Sequence, residues 1–152
     1  MALQQADFYI IEATDYEARW RFACRLTETI LAQGKKVHIH LGSEQDEQWL
    51  DELLWSFKPE SFIPHLNVEA PDAMSVNVHL STGSQQPVNA DVLINLAPVL
   101  PDYVGKFARL AEIASGDEAQ LQILRAHYKQ LKPLDIALNT HDMRKTPKRS
   151  RG

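Results

Sequence analysis

Apolar residues recur along this chain with two different periods, and the switches between them predict the order of its elements. Residues 8–11 (FYII) form a short aromatic and β-branched run, the pattern of a buried strand. From Trp20 the period lengthens: Trp20, Ala23, Cys24, Leu26, Thr27, Ile30 and Leu31 repeat close to every 3.6 residues. Thr14 or Asp15 can cap this helix, and Gly34 closes it with Lys35 and Lys36 near its negative end. Residues 37–41 (VHIHL) alternate and predict a second strand. Ser43, followed by Glu44 and Asp46, opens a second helix, whose Trp49, Leu50, Leu53 and Leu54 form a stripe expected to face the core. Residues 76–80 alternate again, and 81–89 read as a loop. Residues 92–96 (VLINL) are the most apolar strand and belong at the sheet centre. The two prolines at 98 and 101 make the next segment a loop. The last helix starts at Gly116-Asp117, carries Leu121, Leu124, Tyr128 and Leu131, and ends before Pro133; residues 134–138 offer one more edge strand.

Strands alternating with helices, without tight hairpin signals, predict an α/β fold: a three-layer α/β/α sandwich, Rossmann-like, with a largely parallel sheet. The 152 residues suit one domain, expected over 1–142, with 143–152 as a basic tail. Five of the 16 basic residues lie in the last nine, which leaves residues 1–143 with 11 basic against 20 acidic groups, a net of −9. So acidic a body is not expected to bind nucleic acid broadly, and the tail, with no apolar anchor, is expected to be disordered and solubilising. The N-terminus MALQQAD shows no signal-peptide pattern, and no apolar run approaches the roughly 18 residues of a membrane helix. The expectation is a cytoplasmic protein.

Catalytic chemistry finds little to work with. The turn after the first strand, Glu12-Ala13-Thr14-Asp15, lacks the glycines that let a backbone approach a pyrophosphate, and no P-loop is present. The sheet is therefore read as lacking a nucleotide-binding loop, and no cofactor is expected. The six histidines are scattered; His38 and His40 share a strand face but lack a third metal ligand nearby, which favours a partly buried or rim face. Cys24, the one cysteine, reads as a small buried thiol. No active site emerges, and a non-enzymatic binding module is the favoured class.

Two stretches could dock a partner. The connection 51–66 (DELLWSFKPESFIPHL) places Trp55, Phe57, Phe62 and Ile63 among Pro59 and Pro64 in an extended segment. Its large side chains either cap the core or present an apolar patch. On the last helix Arg125, Tyr128 and Lys129 fall at i, i+3 and i+4. They form either a solvated face or a pocket for an apolar residue next to a carboxylate.

The ordered set FYIIEA, GKKVHIH, LDELLWSFKPESFIPH, DVLINL and LRAHYKQ followed by LNT, spanning residues 7–140, resembles the chi-subunit family of bacterial DNA polymerase III holoenzyme. The resemblance implies a non-catalytic accessory subunit of the clamp-loader assembly with a Rossmann-like fold. Such a subunit bridges the psi subunit to the C-terminal tail of single-stranded DNA-binding protein, an acidic tail ending in phenylalanine. It assigns psi binding to Trp55, Pro59, Phe62 and Pro64, and tail binding to Arg125, Tyr128 and Lys129. It also favours a strand for the ambiguous residues 107–113, and suggests an accessory DNA helicase as an alternative partner for the aromatic surface. A small nucleotide-dependent enzyme is the rival from another class. His127 departs from the family by replacing a basic residue beside the tail pocket, the segment 67–90 matches loosely, and the basic tail runs past the family's usual end.

Overall fold

The computed structural model describes residues 3–58, 63–89 and 91–144. Seven strands form one sheet: β1 (Gln5–Ile10), β2 (Val37–Leu41), β3 (Leu66–Asn67), β4 (Val78–Thr82), β5 (Val92–Asn95), β6 (Arg109–Ala114) and β7 (Ala137–Asp142). Their order is β3-β4-β2-β5-β6-β1-β7, and every pairing is parallel. Three helices complete the layers: α1 (Tyr16–Ala32), α2 (Glu44–Ser56) and α3 (Glu118–Leu131). β5 is the central strand, as its composition predicts.

Strands buried on both faces read as continuous apolar runs, and the period of two sorts each run between two cores. Tyr9, Ile11, Ile39, Ile94 and Ile113 meet α1 and α2 through Trp20, Ala23, Ile30, Leu50 and Leu54. Phe8, Ile10, Leu93 and Leu110 point the other way, against Leu121, Leu124 and Leu131 of α3 and against Tyr103 and Phe107. α2 and α3 therefore lie on opposite faces of the sheet. Asp15 caps α1 by accepting from the Ala18 amide at 2.7 Å, and Gly34, at φ 81°, supplies the left-handed residue that ends it.

α3 contacts β1 and β6. The other half of that face, over β2 and β4, is covered by the segment carrying Tyr103 and Phe107. There His38 and His40 are fully or almost fully buried rather than at a rim. His38 Nε2 and His40 Nδ1 each lie 2.8 Å from Ser81 Oγ and 3.0 Å from the Tyr103 hydroxyl. Imidazole and hydroxyl groups bond one another where no helix supplies aliphatic cover, although His38 Nδ1 is buried without a partner. Burial, reinforced by His40 and His79, pushes the His38 pKa down to about 3, and burial also lowers His40. An unfolded histidine takes its proton near 6.5, whereas folded His38 waits until about 3, so stability falls as pH drops through that window. The expected slope from His38 is about 1.4 kcal/mol per pH unit. Urea unfolding between pH 7 and 4.5 measures it; His38→Gln is expected to flatten the dependence, and an unchanged slope would remove His38 as its source.

Candidate protein-docking sites

In doubly wound sheets ligands enter the crevice beyond the carboxyl ends of the strands, where adjacent connections leave on opposite faces. Here one such point lies between β1, which leads to α1, and β6, which leads to α3. The two loops are joined directly: the Ile11 amide donates to the Ala114 carbonyl at 2.9 Å, and the Gly116 amide to the Ala13 carbonyl at 3.1 Å. A Cβ on Gly116 would sit 3.3 Å from the Glu12 carbonyl oxygen, tighter than an ordinary contact. Arg19 of α1 is buried across the same edge, donating to the Ile113 carbonyl at 2.7 Å and the Leu96 carbonyl at 3.1 Å. Backbone bonds and a guanidinium thus tie these loops to one another and to the ends of β5 and β6. Among the described residues no three His, Cys, Asp or Glu side chains group as metal ligands, and no helix is long and apolar enough to cross a membrane. Cys24 is buried in α1, and burial pushes its thiol up to about 12.

The aromatic connection is fastened to α2 at several points. Ser43 caps the helix by accepting from the Asp46 amide at 3.1 Å, and the Phe57 amide closes its end on the Leu53 carbonyl. The Ile63 amide then returns to the Leu54 carbonyl at 3.2 Å, which buries Ile63 under the end of α2. His65, also buried, directs Nε2 to the Asp51 carboxylate at 2.6 Å and Nδ1 to the Ile63 carbonyl. The Trp55 indole rests on this imidazole, ring centres 5.0 Å apart, yet remains 50% exposed; Pro64 is exposed beside it. Trp55 is thus held in place without capping the core. Of the other expected members, Pro59 and Phe62 lie outside the described residues.

One part of the predicted stripe is corrected. Leu50 and Leu54 are buried and Leu53 is half-buried, but Trp49 is 52% exposed. α2 is an outer-layer helix, and a stripe centred on Leu50 and Leu54 suffices to bury it. Trp49, 100° around from Leu50, is carried to the outside.

On the opposite face, Leu121, Leu124 and Leu131 bury α3, leaving Arg125 and Lys129 exposed one turn apart. Tyr128 is half-buried, its ring 5.2 Å from that of Phe8. Arg125 Nη1 lies 3.1 Å from Glu118 Oε2 two turns back, both side chains well exposed. Such exposed pairs contribute about 0–1 kcal/mol, so an incoming carboxylate can displace Glu118 at little cost.

His127 is not beside that face. It is turned inward and buried, with Nδ1 2.9 Å from Glu112 Oε1 and Nε2 3.0 Å from the Pro98 carbonyl. Glu112 also accepts from Asn95 Nδ2 at 2.8 Å. Burial opposes the charged imidazole, but the bonds and charge of Glu112 and the Pro98 carbonyl outweigh it and raise the His127 pKa. This internal anchor of α3 was missed in the sequence. Its signal was there: Glu112 interrupts an apolar strand, and a buried carboxylate demands a partner.

The sequence pattern of the family described as DNA polymerase III chi subunit, HolC, matches residues 3–139. This chain belongs to that family. It is 34% identical to the DNA polymerase III subunit chi of Pseudomonas aeruginosa over 139 residues, covering 91% of this chain and 96% of the relative. The chi subunit of Haemophilus influenzae is 32% identical with the same coverage, and that of Escherichia coli 25% identical over 143 residues, covering 91% of this chain and 97% of the relative. Among solved structures, the C-terminal domain of the DEAD-box protein Dbp5 matches with a TM-score of 0.59 at 15% identity, covering 93% of this chain and 91% of that one. At that identity the likeness concerns the fold alone. The expected α/β sandwich is present, with an entirely parallel sheet.

Proposed function

We propose that this chi-family chain is a non-catalytic accessory subunit of the DNA polymerase III clamp-loader assembly, bridging the psi subunit to the C-terminal tail of single-stranded DNA-binding protein. Family membership supports the replication role. The observation that carries the bridging reading is the placement of the two candidate surfaces: Trp55 and Pro64 at the end of α2 on one face of the sheet, Arg125, Tyr128 and Lys129 on α3 on the other. Surfaces so separated can be occupied together. Trp55 and Pro64, with Pro59 and Phe62 of the intervening sequence, receive psi. Arg125 and Lys129 hold the tail's terminal carboxylate, and the apolar surface beside Tyr128 takes its phenylalanine. Several tails on one DNA-bound protein raise the effective concentration, so a weak single contact suffices.

Charge reversal separates the sites. Arg125→Glu replaces an attraction with a repulsion at the carboxylate, and tail affinity is expected to fall at least about tenfold, 1.4 kcal/mol or more. Psi affinity is expected to stay within about twofold of the parent. Calorimetric titration with each partner checks both; equal loss of the two, with the thermal melt unchanged, would overturn the two-site reading.

A further inference from the structure

α2 displays a second indole that the sites above do not use. Trp49, Glu52 and Trp55 follow at intervals of three, so they step around the solvent side of the helix as one band, and all three are exposed. Trp49 also lines a cleft of about 510 Å³ between α1 and α2, together with Trp20, Leu53, Glu17, Arg21 and Glu52. A helix needs only its inward stripe to be apolar, and Leu50 and Leu54 already provide it, so burying α2 does not require the two half-exposed indoles on its outer band.

The charge carried by α2 itself has one sign, although across the cleft Arg21 of α1 is paired with Glu17 at 2.6 Å. α2 carries Glu44, Asp46, Glu47, Asp51 and Glu52 and no basic residue. Three of these, Glu44, Asp46 and Glu47, suit the positive end of the helix, and Asp51 holds His65, but Glu52 lies beyond the first turn where neither reason applies. A second copy of this chain would bring like charge against like charge here, and nucleic acid would be repelled.

We propose that the partner surface does not stop at Trp55 and Pro64 but crosses the outer face of α2 to Trp49, and that it receives a basic segment of the same partner. A lysine or arginine of that segment lies between the two indoles opposite Glu52, where cation–π contact adds to the ion pair, and an apolar side chain enters the α1–α2 cleft beside Trp49. The inference rests on the reading of Trp55 as the psi site, and adds to it the chemistry of what binds.

The test titrates the full chain with the psi subunit of the same organism at 50 and 200 mM salt. Trp49→Ala is expected to weaken binding about tenfold or more at both concentrations. Glu52→Lys, an exposed change with no packing consequence, is expected to weaken it about tenfold at 50 mM and clearly less at 200 mM, because salt screens the charge. Trp55→Ala serves as the reference. If it abolishes binding while Trp49→Ala and Glu52→Lys stay within twofold, the surface ends at Trp55 and this inference fails alone. If Trp55→Ala leaves binding intact, the psi reading fails and takes the inference with it. A concentration-dependent dimer of the free chain that Trp49→Ala dissolves would make the band a self-interface and overturn the proposal.

Discussion

Glu112→Ala is expected to destabilise the fold by about 3–5 kcal/mol, because it strips a buried ion pair of one member. Glu112 holds His127 at 2.9 Å and Asn95 at 2.8 Å, and both would be left with unpaired donors inside the protein. For a chain of this length the melting temperature is expected to drop by roughly 6–20 °C. The charged imidazole gives the effect a pH signature. The folded His127 pKa is raised, so its stabilisation is complete below the unfolded value near 6.5 and is lost as pH rises through the folded value. This is opposite in sign to the acid sensitivity of His38. Glu112→Gln keeps the shape and an acceptor but removes the charge, and is expected to show a smaller loss and little of this alkaline decline. Thermal melts of parent and both variants from pH 5.5 to 8.5 check the set; a loss under about 1 kcal/mol for Glu112→Ala would mean that α3 is not anchored through this pair. Because α3 also carries Arg125 and Lys129, the less stable variant is expected to bind the tail more weakly only as it approaches its melt.

Trp55→Ala is expected to weaken psi binding by about 2–4 kcal/mol, roughly 30- to 1,000-fold, with little change in stability. The asymmetry follows from its surroundings. Half of the indole is exposed, and the remainder rests on His65, which is fixed independently by Asp51 and the Ile63 carbonyl. Removing the ring thus leaves the supporting loop in place. Desolvated aromatic anchors carry most of the energy of such interfaces, and an indole already positioned by a rigid neighbour loses little freedom on binding. Trp55→Phe is expected to fall between the two. Surface plasmon resonance against immobilised psi measures the change, mainly as faster dissociation. An effect below threefold, with Pro64 intact, would remove Trp55 as the anchor.

Burial governs which elements could be read from the residues alone. β2 was expected over 37–41 and is Val37–Leu41, since a strand enclosed on both faces has to be apolar or internally satisfied along its length. β4 was expected two residues early, because Ser81 looks like a loop residue until its hydroxyl is seen bonded to His38 and Tyr103. β7 was expected over 134–138 and lies at Ala137–Asp142. It is a mostly exposed edge strand placed by polar contacts, with Asn139 and His141 donating to Asp7, rather than by apolar pattern. β3, two residues long, carries no periodic signal at all. β6 was ambiguous because its alternation is broken by Glu112, whose partners are 17 and 15 residues away.

The residues alone left the candidate sites open, and the resemblance to the chi family assigned them. Large or charged side chains outside the apolar period made Trp55, Arg125 and Lys129 stand out, with a core cap or a solvated face as the other reading. Trp49 did not, because it sits next to Leu50 and fits a plausible stripe; only the packing of α2 shows it turned outward. The inward direction of His127 was hidden likewise, since histidine suits either face of a helix until its neighbours are known.

The bridging claim is tested most directly by immobilising psi and asking whether it retains single-stranded DNA-binding protein. The account predicts retention only when this chain is present, loss with Arg125→Glu although that variant still binds psi, and loss when the tail lacks its final phenylalanine. Retention that is unaffected by both changes, or displacement of one partner by the other, would contradict it.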